Sequence, residues 1–147
     1  MKIALASDHA GFPLKEEIRA YLEEHGIDFT DLGTHSLDSV DYPDFAKRAA
    51  RAVLEEGSDF AIIMCGTGIG ISIAANKIRG IRAALVTSVE LARLAKEHNH
   101  ANMIAFGGRT TTKEEAIAML EAYMKARPEE RHRNRIAKIE RIEEEER

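Results

Sequence analysis

The chain alternates short apolar runs with amphipathic segments five times, and this alternation constrains the fold more than any other feature. The clearest run, Phe60–Cys65, is followed by glycines and then by a helical pattern. Parallel strands that are buried on both faces have such continuous apolar runs, and helices connect them. The sequence therefore predicts an α/β fold, a Rossmann-like three-layer α/β/α sandwich around a five-stranded, mainly parallel sheet, with an additional C-terminal helix.

The boundaries of the predicted elements follow from periodicity and from turn residues. Strands are predicted at Ile3–Ala6, Ile27–Leu32, Phe60–Cys65, Arg82–Val86 and Met103–Phe106. Helices are predicted from about Pro13 to His25, from Pro43 to near Gly57, from the glycine-rich segment to about Lys77, after Thr87, after Thr112 and beyond Pro128. Thr87 with Glu90, and Thr112 with Glu115, have the spacing of capping boxes.

The length of 147 residues predicts a single domain, with residues 129–147 forming a charged C-terminal helix and tail. Ile136, Ile139 and Ile142 lie on one side of that helix, so we expect a thin apolar stripe that docks on the body or on a partner chain. Glu143–Glu146 are expected to be a solvated, fraying end.

Charge and composition exclude several classes of partner. The 21 Lys+Arg against 25 Asp+Glu give a net charge of −4, which is unsuited to coating nucleic acid or an anionic membrane. Any phosphate must therefore be held by a few placed cations. The longest apolar run is far shorter than a membrane span, and a strand-like segment directly after Met1-Lys2 leaves no room for a signal peptide. We expect a cytoplasmic protein that does not bind membranes.

Polar residues follow four of the five predicted strands: Ser7-Asp8-His9, Cys65–Gly68, Thr87-Ser88 and Gly107–Arg109. In open α/β sheets, ligands bind beyond the carboxyl ends of the strands. The glycine-rich segment Gly66–Gly70 opens a helix, so its backbone amides are able to hold an oxyanion or a phosphate; the alternative is a tight turn that binds nothing. The segment lacks the third glycine of the dinucleotide fingerprint and the Lys-Ser/Thr of a P-loop.

The single cysteine, Cys65, is either a small buried apolar residue or a reactive thiol. Its place ahead of helix-start amides favours the thiolate, which acts as a nucleophile or as a proton-transferring base. An acyl-transfer cysteine needs an orienting histidine, for which His9 and His98 are candidates. His98 and His100 are a chance metal pair at most, because ligands at matched spacing are absent, so no metal site is predicted. Arg131 and Arg135, one helical turn apart, are candidates to grip one phosphate.

Six ordered motifs together resemble a family of sugar-phosphate isomerases, the one that contains ribose-5-phosphate isomerase B and galactose-6-phosphate isomerase. The motifs are Ser7–Gly11, Asp41–Asp44, Cys65–Gly70, Ala74–Lys77, Gly80–Ala83 and His98-Asn99, within a resemblance that runs from Lys2 to about Ile142. The resemblance implies interconversion of a phosphorylated aldose and its ketose without metal or organic cofactor. It also implies homodimers with shared active sites; whether dimers pair into tetramers stays open.

The resemblance also assigns roles by position. It makes Cys65 the base that moves a proton between C2 and C1, and His98 the residue that assists opening of the furanose ring. Sugar hydroxyls are held by Asp8 and Asn99, with Tyr42 near the sugar. Gly66, Thr67, Gly68, Ile69 and Gly70 form the loop that stabilises the enediolate, and Thr67 stands beside the reacting atoms. His9, Arg109, Arg131 and Arg135 form the phosphate grip, and the partner subunit is expected to supply His98, Asn99 and Arg109.

The chain departs from the family pattern in one place. Glu129-Glu130 stand where glycines usually precede the family's Arg-His pair, so Arg133 is an alternative to Arg131 in the phosphate grip. Members with serine at the position of Cys65 use a glutamate aligned with Ile71, so this chain is of the cysteine type. The sequence predicts a ribose 5-phosphate isomerase. Two alternatives stay open: an isomerase of a six-carbon sugar phosphate, such as allose 6-phosphate or galactose 6-phosphate, and a non-catalytic sugar-phosphate-binding domain.

Overall fold

The computed structural model describes residues 1–146 and confirms the predicted fold class. Its strands are β1 (Lys2–Ser7), β2 (Asp28–Asp31), β3 (Phe60–Cys65), β4 (Ala83–Leu85) and β5 (Met103–Gly107). Its helices are α1 (Phe12–Glu24), α2 (Tyr42–Glu55), α3 (Ile69–Ala75), α4 (Val89–Glu97), α5 (Lys113–Lys125) and α6 (Arg133–Glu145), and a 3-10 turn at Glu130–His132 precedes α6. The strands form one all-parallel sheet in the order β2-β1-β3-β5-β4.

Helices cover both faces of the sheet, and the two faces differ in side-chain size. On one face, large strand residues such as Ile62, Met64 and Phe106 pack against α1, α4 and α5. On the other face, α2 contributes Phe45 and four buried alanines, and α3 contributes Ile71 and Ala75. Because small residues let backbones approach closely, α2 and α3 lie tightly against β3, the strand that ends in Cys65. Among residues 1–146, no helix combines the length and the apolar character needed to cross a bilayer.

Helix boundaries follow local chemistry in most places. Gly26 follows α1 with φ of +65°, a conformation that glycine adopts without a steric cost. The capping box of α5 is confirmed: Glu115 N–H donates to Thr112 Oγ1 at 3.1 Å, and Thr112 N–H donates to Glu115 Oε1 at 2.9 Å. These two bonds satisfy amides that have no partner inside the helix.

The predicted capping box of α4 is wrong. Ser88, not Thr87, is the N-cap, and its Oγ accepts a hydrogen bond from the Leu91 N–H at 3.1 Å. The reason is backbone conformation, because Ser88 is extended (φ −149°) and the helical turn begins only at the next residue. Helix α3 also ends two residues before the predicted Lys77, where the Asn76 side chain hydrogen-bonds both the N–H and the C=O of Ala83 in β4.

The C-terminal helix differs from its prediction in two ways. Helix α6 does not fray at Glu143, because the Glu143 carboxylate accepts a hydrogen bond from the Gly80 N–H at 3.0 Å. The predicted apolar stripe docks only in part: Ile136 is buried, whereas Ile139 and Ile142 are exposed. The helix is thus held by the buried Ile136 and, near its end, by the Glu143 hydrogen bond and an ion pair between Arg79 and Glu144 at 3.1 Å.

The strand order has one consequence for ligand binding. From β1 the chain crosses to β2 on one side, whereas β3 pairs with β1 on the other side. At such a reversal the loops that follow two adjacent strands diverge and leave a crevice, which is where ligands bind in open parallel sheets. The loops that border this crevice are those that follow β1 and β3.

Candidate active site

An open cleft of about 440 Å³ lies beyond the carboxyl ends of β1 and β3. It is lined by Asp8, His9, Ala10, Tyr42, Cys65, Gly66, Thr67, Ile69, Gly70 and Arg109. Nine of these ten residues were predicted site residues, and they come from four separate segments of the chain. Two other hollows on the surface are larger, at about 520 Å³ each, but neither includes a residue of this cleft.

The loop after β1 places an acid and an imidazole in the cleft. Asp8 is buried, and its Oδ1 accepts a hydrogen bond from the Gly11 N–H at 3.0 Å, which holds the carboxylate in place. The Val40 N–H donates to His9 Nδ1 at 3.2 Å. Because this nitrogen accepts, the neutral ring of His9 carries its proton on Nε2, which is then a hydrogen-bond donor.

The loop after β3 presents a thiol beside backbone amides. Cys65 is the last residue of β3 and is only 4% exposed. Gly68, with φ of +79°, turns the chain into α3, and a Cβ there would lie 2.6 Å from Leu85 Cδ1. Thr67 Oγ1 accepts from the Ile69 N–H at 3.2 Å. First-turn amides of a helix lack partners within the helix, so this loop offers donors to an oxyanion close to the thiol.

Tyr42 and Arg109 close the sides of the cleft. Tyr42, the first residue of α2, packs so closely over Gly70 that a Cβ there would lie 2.6 Å from the tyrosine ring. The Arg109 N–H donates to Gly66 O at 2.9 Å, and its Nη1 lies 3.4 Å from where a Cβ on Gly66 would be. The expectation that Arg109 reaches the site from a partner subunit is therefore wrong, since it lines the cleft of its own chain.

His98 lies in a second polar group, at the C-terminus of α4. Glu129 Oε1 is 3.3 Å from His98 Nε2, 3.3 Å from Arg131 Nη2 and 3.9 Å from His132 Nε2. We call His98, Glu129, Arg131 and His132 the basic cluster. Burial, with the nearby charge of Arg131, lowers the pKa of His132, and the hydrogen bond from Arg131 lowers the pKa of Glu129.

The basic cluster lies at the amino ends of the strands, whereas the Cys65 cleft lies at their carboxyl ends. Cys65 is level with Gly107, where β5 ends, whereas His98 precedes the turn that leads into Met103, where β5 begins. Four residue steps along a strand span about 13 Å, so one chain does not bring both groups to one small ligand. Asn99, Arg131 and Arg135 lie on the side of His98.

His98, Glu129 and His132 offer ligand atoms within 4.8 Å of one another, a spacing that a metal ion could use. The surrounding charges favour an anion instead. Arg131 already contacts Glu129, and Arg135 Nη1 donates to His132 Nδ1 at 2.9 Å. That bond keeps the proton of the neutral His132 ring on Nε2, the nitrogen that faces Glu129, so it offers no lone pair to a cation.

Comparison with known proteins agrees with this geometry. The family model described as Ribose/Galactose Isomerase matches residues 3–139. The chain belongs to that family. It is therefore an isomerase, and the resemblance noted from its motifs is confirmed.

Relatives of the family match along nearly the whole chain. "Ribose-5-phosphate isomerase B" of Escherichia coli (strain K12) is 45% identical over 143 residues, covering 97% of this chain and 96% of the relative. A structure of ribose-5-phosphate isomerase B from Clostridium thermocellum is 45% identical, covers both chains fully and superposes with a TM-score of 0.97. A Mycoplasma genitalium structure, described with bound ribulose 5-phosphate, is 41% identical over 98% of this chain and 97% of that one, with a TM-score of 0.91.

Two members of the basic cluster, Glu129 and His132, were not predicted as site residues of this isomerase. His132 is buried, and its Nε2 has no hydrogen-bond partner among the described residues. It lies 34 positions from His98 in the sequence, yet their rings are 4.5 Å apart. The signals in the sequence were the family's Arg-His pair, here Arg131-His132, and the unusual Glu129-Glu130 pair ahead of it. Arg133, the alternative phosphate ligand, donates two hydrogen bonds to the Glu130 carboxylate, at 2.8 and 3.0 Å. It forms no ion pair with the basic cluster among the described residues.

Proposed function

We propose that this isomerase interconverts ribose 5-phosphate and ribulose 5-phosphate through an enediolate, with no metal or organic cofactor. The observation that carries the proposal is the position of Cys65, a buried thiol directly ahead of the Gly66–Gly70 amides in a cleft that also holds His9 and Arg109. The names of the Escherichia coli and Clostridium thermocellum relatives and the ribulose 5-phosphate in the Mycoplasma genitalium structure support this substrate.

In the proposed reaction the Cys65 thiolate removes the proton from C2 of the open-chain aldose. The electron pair moves toward the carbonyl, which creates a negative charge on O1 of the enediolate. The O2 hydroxyl proton then passes to O1, and the thiol returns its proton to C1, which leaves a carbonyl at C2 and completes the ketose. The amides of the Gly66–Gly70 loop, apart from that of Ile69, which donates to Thr67 Oγ1, stabilise the charged oxygen, with Thr67 beside it. No redox cofactor is needed, because oxidation at C2 balances reduction at C1 within one molecule.

The remaining residues bind the two ends of the substrate. Asp8 and Asn99 hold the sugar hydroxyls, and Tyr42 lies near the sugar. The phosphate is held by His9, Arg109, Arg131 and Arg135. These cations satisfy the requirement that an acidic chain hold a phosphate with a few placed groups, and binding far from the reacting carbons orients the sugar for proton transfer.

We further propose that the active unit is a homodimer with shared sites, located in the cytoplasm. The separation of His98 and Cys65 within one chain supports this, because the basic cluster of one subunit would complete the Cys65 cleft of the other. In such a site His98 assists opening of the furanose ring by moving a proton from the C1 hydroxyl to the ring oxygen. The family match from residue 3 to 139 supports a single isomerase domain.

An activity assay tests the reaction and its cofactor requirement together. We expect conversion of ribose 5-phosphate to ribulose 5-phosphate that is unchanged by EDTA, and a higher kcat/KM for ribose 5-phosphate than for allose 6-phosphate or galactose 6-phosphate. A preference for a six-carbon substrate would transfer the proposal to that sugar. Binding without turnover of any of the three would instead identify a sugar-phosphate-binding domain.

A further inference from the structure

Glu129 is the only carboxylate that forms ion pairs with His98, Arg131 and His132 among the described residues. Its Oε1 accepts a hydrogen bond from Arg131 Nη2 at 3.3 Å and lies equally close to His98 Nε2. Arg131 itself extends toward solvent and has no other acidic partner within 4 Å in that part of the chain. The guanidinium proposed to bind phosphate is therefore already paired with the carboxylate of a residue two positions away.

The Glu129 backbone is fixed to the end of α4, so its carboxylate remains close to His98. The Glu129 N–H donates to Glu97 O at 2.9 Å, and its carbonyl oxygen is 3.0 Å from His100 Nε2. His100 has φ of +48°, an uncommon conformation for a residue with a side chain, and this conformation directs the end of α4 into the turn before β5. Glu129 is thus held by Glu97 and His100, the residues that flank His98 and Asn99 in the sequence.

A sugar phosphate carries about −1.5 to −2 charges at neutral pH, so it and an ionised Glu129 require the same cation. We propose that Glu129 is an internal counter-anion that competes with the substrate phosphate for Arg131, and thereby sets the affinity of the site for phosphate monoesters. This inference rests on the proposed function in that Arg131 is part of the phosphate grip. It assigns Glu129 a role in affinity and none in proton transfer.

The next residue, Glu130, provides a matched control. Its carboxylate forms two hydrogen bonds with Arg133, at 2.8 and 3.0 Å, and has no contact with Arg131 or His98 among the described ion pairs. Both partners are largely exposed. Replacing either glutamate with glutamine changes the net charge equally, so a difference between the two variants reports the local contact and not the overall charge.

Inorganic phosphate is the probe, because its binding requires neither a sugar nor turnover. Isothermal titration of the full chain should give a phosphate Kd that is about three- to tenfold lower in Glu129→Gln than in wild type, and unchanged in Glu130→Gln. With ribose 5-phosphate as substrate, the KM of Glu129→Gln should fall in the same direction. Equal gains in both variants, or weaker binding in Glu129→Gln, would overturn the proposal.

A double-mutant cycle tests whether the effect passes through Arg131. If Glu129 competes for that guanidinium, Glu129→Gln should lower the phosphate Kd much less in an Arg131→Ala background than in wild type. An undiminished gain in that background would refute competition for Arg131. Because these titrations do not depend on catalysis, absence of isomerase activity would refute the proposed function while leaving the inference about Glu129 open to its own result.

Discussion

Cys65 and Lys15 are both buried, but their polar groups have different requirements. A thiol is weakly polar and packs as a small apolar residue, so Cys65 occupies the alanine-rich face of the sheet without a charged partner. The ammonium of Lys15, which is 0% exposed, donates to both carboxylate oxygens of Asp31 at 2.7 and 2.8 Å. Burial of a charge requires such pairing, whereas burial of a thiol leaves it free for chemistry.

Cys65→Ala should reduce kcat for ribose 5-phosphate by about 10²- to 10⁴-fold and leave substrate binding nearly unchanged, because only the proton-transfer group is removed. Turnover and the dissociation constant of ribulose 5-phosphate would be measured separately. Met64→Leu is the control, since Met64 is equally buried but lies on the opposite face of the sheet. Turnover close to wild type in Cys65→Ala would eliminate the thiol as the base.

Asp31→Ala should lower the free energy of unfolding by about 3 kcal/mol, because it leaves the buried Lys15 ammonium without its main partner. Urea denaturation provides the measurement. Asp28→Ala, at an exposed position of the same strand, should cost much less. The double variant Lys15→Met/Asp31→Leu should recover most of the loss, and a double variant as unstable as Asp31→Ala would show that charge burial is not the cause.

At the scale of elements, helix ends depend on one or two side chains whose position the sequence predicts unevenly. The capping box of α5 was predicted correctly at Thr112 and Glu115, although Thr111 and Glu114 have the same spacing one residue earlier. At α4, Thr87 and Ser88 are adjacent hydroxyl residues; Thr87 with Glu90 has the capping-box spacing, whereas Ser88 is followed three residues later by Leu91. The structure makes Ser88 the N-cap, because its backbone is extended and the helix begins at Val89.

Ser88→Ala should therefore destabilise the protein by about 1 kcal/mol, because the Leu91 N–H loses its acceptor. Thr87→Ala should change the free energy of unfolding by less than about 0.5 kcal/mol, since Thr87 is exposed and is not the N-cap. Urea or thermal unfolding of the two variants distinguishes them. A larger loss of stability in Thr87→Ala than in Ser88→Ala would show that Thr87, and not Ser88, caps α4.

At the scale of the whole molecule, the sheet separates the two groups of polar residues. Its strand order brings the loops after β1 and β3 to a single crevice at the carboxyl ends of the strands. Helix α4 then returns the chain to their amino ends, where His98 lies. The exposed Ile139 and Ile142 on α6 leave apolar surface next to solvent in the isolated chain. A shared site therefore requires no change within the fold, only a second copy that places its basic cluster at the cleft.

Mixing two inactive variants tests that arrangement. Cys65→Ala and His98→Asn subunits, denatured and refolded together, should recover up to about a quarter of wild-type activity: half of the molecules are hybrids, and each hybrid has one intact site. Each variant refolded alone is the control. If the mixture is no more active than the sum of its components, the site is not shared between subunits.

The sequence by itself determined the fold class and most of the cleft. Continuous apolar runs fix which segments are strands, because burial on both faces demands them, and the rule that ligands bind beyond strand ends then selects Asp8, His9, Cys65 and Arg109. These signals are local, since strand and helix periods depend on short-range backbone geometry.

Only the tertiary structure decided the order of the strands, and with it the place of the crevice. It also decided that His98 and Cys65 lie at opposite ends of the strands. Glu129 contacts His98, although 31 positions separate the two residues in the chain. Contacts of this kind arise from how α4 and the segment before α6 pack together. The hydrophobic periodicity of one segment does not predict such a contact, because the contact depends on both segments and on how they pack.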